Sequence, residues 1–174
     1  EWLEANVPGS VYADLIENEK MEDPYYRDNE LNALKLMEYD YEYLTTFDID
    51  EDILLCEKVL IRFHGLDTLA DIFLNNNFIA SVNNMHRTWE FNIKRYLRTN
   101  NNEIYIIFHS PTKFIKEAYE KNPLNGSSDA MNGFPHIRKA HCMFGWDWGP
   151  RLPDAGIWRS LGILGVNEGR IDNV

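Results

Sequence analysis

Phe144-Gly145-Trp146-Asp147-Trp148-Gly149-Pro150-Arg151-Leu152-Pro153 concentrates more chemistry than any other stretch of this chain. Two tryptophans flank one carboxylate, glycines bracket the trio, and an arginine and two prolines follow. Glycine admits turns closed to other residues, and each proline fixes φ and removes a backbone donor. The segment therefore reads as a shaped loop that presents its side chains. Indole faces can cover the apolar C–H face of a pyranose, while a carboxylate between them accepts two hydroxyl hydrogen bonds. Two readings are open at this point: a sugar-binding surface, or a structural carboxylate buried between tryptophans and paired with Arg151 or Arg138. Density favours the first, because two of the five tryptophans sit in a Gly/Pro loop and not in a periodic core pattern.

Other chemistries leave no mark. There is no glycine-rich phosphate loop, no metal-spaced His/Cys set and no Gly-x-Ser-x-Gly nucleophile motif, so neither metal nor cofactor is expected. His64, His86, His109, His136 and His141 are scattered, and Cys56 and Cys142 read as free thiols. Glycoside hydrolysis needs two carboxyls about 5–10 Å apart across a sugar site. The chain has 28 acidic residues, yet nothing singles out such a pair; Asp154 falls in a Pro-Asp-Ala-Gly turn, where aspartate is ordinary. A net charge of −11 argues against a nucleic-acid partner. No apolar run approaches the ~20 residues that span a bilayer, and no basic block suggests a membrane surface.

The elements that must carry the loop are mostly strands. At 174 residues the chain suits one domain with a sizeable core. Ser10 caps a short expected helix to about Asn18, with Val11, Leu15, Tyr12 and Ile16 as its apolar face. The polar and aromatic run Glu22 to Glu30 follows, a solvated loop in which Asp28 and Asn29 are the candidates for more than solvation. From Tyr39 the period becomes two, with Tyr41, Tyr43, Thr45, Phe47 and Ile49 on one face. Further strands are expected at Lys58 to His64, Thr68 to Leu74, Phe78 to Val82, Trp89 to Ile93, Ile104 to Phe108 (buried on both faces) and Ile157 to Val166. Asn75-Asn76-Asn77 and Asn100-Asn101-Asn102 supply turns. A second helix opens at Ser110-Pro111-Thr112, buries Phe114, Ile115, Ala118 and Tyr119, and stops at Asn122-Pro123. Short strands about every 8–12 residues point to an all-β, antiparallel sandwich, a jelly roll with two short helices.

His136-Ile137-Arg138-Lys139, the Phe144 to Pro150 run and Gly156-Ile157-Trp158-Arg159 together resemble the β-mannosidases of glycoside hydrolase family 2. Val7-Pro8-Gly9-Ser10-Val11, Asp23 to Glu30, Gly65-Leu66-Asp67-Thr68 and Asn84-Met85-His86 match further stretches of that family's N-terminal domain in the same order. The resemblance spans essentially the whole chain. Gly-Ile-Trp-Arg belongs to the wider family, and Gly-Trp-Asp-Trp-Gly-Pro is the part that points to mannosidase.

The resemblance implies a galactose-binding-domain-like jelly roll over residues 1–174, a fragment of a longer enzyme in which an immunoglobulin-like domain and a (β/α)8 barrel follow. Both glutamates of the retaining mechanism belong to that barrel, which alone needs about 200 residues, so no catalytic residue is expected here. Trp146 and Asp147 would border the subsite for the non-reducing mannose, with Asp147 accepting sugar hydroxyls and Trp146 walling the pocket. Arg138, Trp148, Arg151, Asp28 and Asn29 would support them, and Trp158 and Arg159 would pack and dock. The expected partners are a β-mannoside glycan and the barrel itself. One small departure is Asn76-Asn77, where the family commonly has Asn-Gly. The alternatives are a stand-alone carbohydrate-binding module, the same domain of a β-galactosidase or β-glucuronidase, and a purely structural brace.

Overall fold

A computed structural model describes residues 1–171. The helices are α1 (Val11–Glu17), α2 (Glu30–Leu36), α3 (Glu51–Leu55) and α4 (Pro111–Lys121). The strands are β1 (Tyr41–Phe47), β2 (Lys58–Phe63), β3 (Leu69–Leu74), β4 (Asn77–Asn83), β5 (Trp89–Asn92), β6 (Asn102–Phe108), β7 (Phe144–Trp146), β8 (Gly149–Arg151) and β9 (Leu161–Val166). One antiparallel sheet has the order β1-β6-β3-β4, a second β5-β2-β9, and β7 with β8 forms a separate hairpin. The expected all-β sandwich is the architecture observed, with two helices beyond the two expected.

Period-two patterning explains the core between the sheets. Val59, Ile61 and Phe63 of β2 are buried, as are Ala70, Ile72 and Leu74 of β3 and Ile104, Ile106 and Phe108 of β6. The alternate residues of β6, Glu103, Tyr105 and Ile107, are half-exposed, so this strand is covered on one face and not on both. Between β3 and β4 the two-residue turn is Asn75-Asn76, at φ 49° and 63°, with Leu74 opposite Asn77. Both positions need a left-handed backbone, which asparagine tolerates better than most residues.

Both expected helices form, each with a different buried face. Ser10 caps α1, its side chain accepting from the Ala13 N–H at 3.4 Å. Val11 and Tyr12 are buried, but Ile16 is exposed and Asp14 is buried in its stead. Asp14 turns inward because it accepts hydrogen bonds from the Asn6 N–H (2.9 Å) and the Tyr43 hydroxyl (2.8 Å). In α4, Ser110 caps the Lys113 N–H, and of the expected apolar stripe only Ile115 is fully buried. Phe114 is exposed; together with Leu69 and Val82 it lines a surface cavity of about 390 Å³ beside His109. The two unexpected helices lie where periodicity is weak. α2 buries only Ala33, whose carbonyl accepts from the Tyr12 hydroxyl at 2.8 Å, and α3 buries no residue.

Candidate functional site

The tryptophan segment is a two-stranded hairpin. Phe144 pairs with Arg151 and Trp146 with Gly149, leaving Asp147-Trp148 as the turn. Gly145 sits at φ 96°, a conformation closed to most side chains, and a Cβ there would meet the Arg151 side chain at 2.6 Å. At the tip Trp146 is 45% and Trp148 75% exposed, and Asp147 is exposed between them. Among the described residues the Asp147 carboxylate makes no hydrogen bond and no ion pair. This is the presented arrangement; the carboxylate is not sealed in the core by a guanidinium.

Below the tip the hairpin is rooted in a small apolar cluster of its own. Phe144, Ile137 and Ile115 are buried together, with Leu69, Met131 and Phe134 packed against them. The Met131 N–H donates to the Phe144 carbonyl at 2.9 Å, and the Leu152 N–H to that of Met143 at 2.8 Å. The flank of β8 is tied to α2: the Arg151 N–H donates to Glu30 Oε1 at 3.0 Å, and the guanidinium lies 3.9 Å from the same oxygen.

The other residues singled out from the sequence are dispersed around this root. Arg151 addresses Glu30 and not Asp147. Arg138 is exposed; its backbone bridges to Asn84, and its carbonyl accepts from the Met85 N–H at 3.0 Å. Asn29 holds its own loop, its amide donating to the Asp23 carbonyl at 2.9 Å, while Asp28 is exposed next to it. Trp158 donates its indole N–H to the Met85 carbonyl at 3.2 Å, and the Arg159 guanidinium stacks over its ring at 4.0 Å. Cys56 and Cys142 are free thiols. Among the described residues no His/Cys/Asp/Glu group could hold a metal, and no helix is long and apolar enough to cross a membrane.

Sequence reasoning missed a buried ion pair beneath the hairpin. Lys139 is 2% exposed and donates to Asp67 Oδ2 and, at 2.6 Å, to the Asp154 carbonyl. Asp67, 4% exposed, also accepts from the Thr68 hydroxyl. Burial pushes the Lys139 ammonium below its ordinary pKa despite Asp67. Burial likewise pushes the Asp154 carboxyl up, against N–H donors from Tyr12 (3.0 Å) and Ala155 (2.8 Å). The available signal was slight: Lys139 shares the inward phase of Ile137, where a lysine is out of place unless it is paired.

Two sizeable cavities lie elsewhere. One is the 390 Å³ pocket at His109; the other, about 1120 Å³, runs between the N-terminal segment, α1 and β1. Neither is lined by the hairpin. Its tip is a projection and not a pocket, whereas small-molecule sites are concave and enclose most of their ligand.

Comparison with known proteins concerns the family and the fold. Residues 1–159 match the family described as glycosyl hydrolase 2 galactose-binding domain-like. The chain is 34% identical over 173 residues to a β-mannosidase of Bos taurus, covering 95% of this chain and 20% of that protein. It is 35% identical over 164 residues to a β-mannosidase B of Aspergillus terreus, covering 90% and 19%. The crystal structure of a β-D-mannosidase from Dictyoglomus thermophilum superposes with a TM-score of 0.93 at 36% identity, covering 99% of this chain and 21% of that one. An exo-chitosanase from Amycolatopsis orientalis, at 20% identity and TM-score 0.68 over 95% of this chain and 17% of its own, shares the fold. The chain thus spans about a fifth of the length of the curated relatives it matches.

Proposed function

The chain belongs to the glycosyl hydrolase 2 galactose-binding domain-like family, and from that premise we propose that it is the non-catalytic N-terminal domain of a retaining exo-β-mannosidase. Its hairpin tip completes the pocket for a terminal β-mannose residue, and the glutamates that break the bond stand on a separate barrel. The observation that carries this reading is an exposed Asp147 carboxylate, without a partner among the described residues, between two exposed indoles on a projection that encloses nothing by itself. Half a pocket of this kind needs a second wall, and a docked catalytic domain supplies one. Trp146 packs on the C–H face of the sugar and Asp147 accepts its hydroxyls. Neither transfers a proton; they hold the ring where the reaction can use that binding energy.

Arg151 with Glu30 braces the flank of the hairpin against α2. Asp28 and Asn29 shape the adjoining loop, Trp148 extends the apolar tip, and Arg138 and Arg159 offer charge at the docking face. The identity with several β-mannosidases across nearly the full chain supports the choice of sugar.

The test exchanges Trp146-Asp147-Trp148 for Gly-Ser-Gly in the full-length protein and measures hydrolysis of an aryl β-mannoside, beside calorimetry of this chain alone with a mannan oligosaccharide. The proposal expects kcat/KM to fall by about a hundredfold or more and the chain alone to give almost no heat. Tight uptake by the chain alone would instead identify a stand-alone binding module, and unchanged kinetics after the exchange would leave only a structural brace.

A further inference from the structure

We propose that Lys139 is the positioning residue of the hairpin, its buried ammonium fixing the angle at which Trp146, Asp147 and Trp148 leave the sandwich. The functional part of this inference rests on the sugar-facing reading above; the mechanical part does not.

Lys139 lies on the incoming leg, eight residues before Asp147, and Asp154 lies on the outgoing leg, seven residues after it. The ammonium group joins the two legs directly through the Asp154 carbonyl at 2.6 Å. Its second bond, to Asp67, reaches the sandwich at the residue pair leading into β3. Asp67 is itself immobilised: its carboxylate accepts from Thr68, and its backbone exchanges two 2.9 Å hydrogen bonds with Gly156, two residues beyond Asp154. Lys139, Asp154, Gly156 and Asp67 therefore close a ring, and three separate stretches of chain meet at one cation.

Two neighbouring contacts hold the incoming leg in register. The Arg138 carbonyl and the Ala140 N–H both engage Met85, through its backbone N–H (3.0 Å) and its Sδ (2.9 Å). The outgoing leg is held by α1, since the Val11 N–H donates to the Ala155 carbonyl at 2.8 Å and the Tyr12 N–H to Asp154 Oδ1 at 3.0 Å. Besides the ammonium, the two legs are linked by the hairpin's own short ladder, by the Leu152 N–H to the Met143 carbonyl (2.8 Å) and by the Trp158 indole N–H to the Met85 carbonyl (3.2 Å). The ammonium alone bonds the incoming leg, the outgoing leg and Asp67 at one point.

A wholly structural joint would be served as well by an apolar side chain. Replacing a buried ion pair with packed hydrophobic groups is often neutral or stabilising, so this charge is poor value for stability alone. An ammonium does what a methyl group cannot: it bonds two defined oxygens in fixed directions. The Lys139 side chain is wholly inaccessible, so it acts on sugar through the hairpin and never by contact.

The test compares Lys139→Met with the double variant Lys139→Met/Asp67→Asn in the full-length protein. The single change strands a buried carboxylate and lowers the unfolding midpoint; the double change removes that charge and restores most of it. In the double variant, hydrogen exchange across residues 140–153 stays at least about tenfold faster than in the wild type. In the same variant kcat/KM on an aryl β-mannoside stays down by about tenfold or more. Recovery of hairpin protection along with stability would overturn the inference, since Lys139 would then be a stability residue only. Fast exchange with wild-type kcat/KM would keep the joint and overturn its functional part, through the sugar-facing reading on which that part rests.

Discussion

Val59, Ile61 and Phe63 of β2 are buried in the sandwich, whose other sheet has ladders of five to seven pairs, the longest running from Tyr41–Phe108 to Phe47–Asn102 between β1 and β6. In the tryptophan hairpin, two residue pairs and a cluster centred on Ile115, Ile137 and Phe144 take the place of that framework. The sandwich keeps its shape through area buried between sheets, a non-directional force that tolerates small displacements. The hairpin is held by a few directional bonds, to Glu30, Met85, Asp154 and, through Lys139, Asp67. The sandwich thus rests on buried area and the hairpin on directional bonds, the kind of support that fixes where a side chain points.

Truncating one aromatic residue in each region puts that contrast at risk most severely. Phe63→Ala empties the centre of the sandwich and should cost about 3–5 kcal/mol of global stability, read from chemical denaturation. Phe144→Ala should lower the main transition by less, while losing the near-UV signal of the ordered hairpin indoles. Equal losses from the two substitutions would mean that both cores unfold as one unit.

Ser110→Ala sharpens the comparison from the sandwich side. The hydroxyl donates to the Met37 carbonyl at 2.5 Å and accepts from the Lys113 N–H that opens α4. Its removal should cost about 1–2 kcal/mol, without changing hydrogen exchange at the hairpin tip.

A smaller effect is expected with pH. The His109 ring lies 3.2 Å from Asp40 and 2.9 Å from Asp71, at the end of β6. Burial opposes its protonation, but hydrogen bonds to Asp71 and Asp40, and their charges, hold its pKa above the ordinary 6.5. Burial works to raise Asp71, yet hydrogen bonds from Ser81 and His109 leave it below the ordinary 3.8. The native state thus favours the imidazolium. Its contribution is complete below the unfolded value of 6.5 and fades as pH rises through the higher folded value. The acid limit comes as pH falls through the lowered Asp71 value. Melting temperatures of the wild type should therefore decline slightly between about pH 6.5 and 8, and His109→Ala should flatten that decline. The effect is modest because the ring is 41% exposed, and Lys113 and Glu117 line the same cavity.

The smallest change expected is at the β3–β4 turn. Asn76→Gly gives the left-handed position its most tolerant residue and should stabilise the chain by up to ~0.5 kcal/mol. It should leave the hairpin 70 residues away untouched.

The same contrast governs what the sequence could disclose. Alternation marks β1, β2 and β5 to within a few residues, because burial on one face leaves a period of two in the residue types. β6 is marked by an apolar run instead, which conceals that one of its faces is half-exposed. The run Asn75-Asn76-Asn77 marks the turn, with Asn75-Asn76 as its two turn residues and Asn77 opening β4. α2 escaped because Ala33 is its single buried residue, which leaves no periodic stripe to read. At the site, the types and spacing of Trp146, Asp147 and Trp148 announced a presented tip. What set that tip in place was not legible: Asp67 and Lys139 are 72 residues apart, and Arg151 and Glu30 121. No local pattern couples residues at such separations; only the closed fold brings them together.

The central claim, that the exposed acid at the hairpin tip grips a sugar whose bond is broken elsewhere, is tested most directly by kcat/KM of Asp147→Ala in the full-length protein on an aryl β-mannoside. The account predicts a loss of at least about tenfold, with an unchanged melting temperature, since that carboxylate is exposed and bonds to nothing among the described residues. Wild-type kcat/KM in that variant would contradict it.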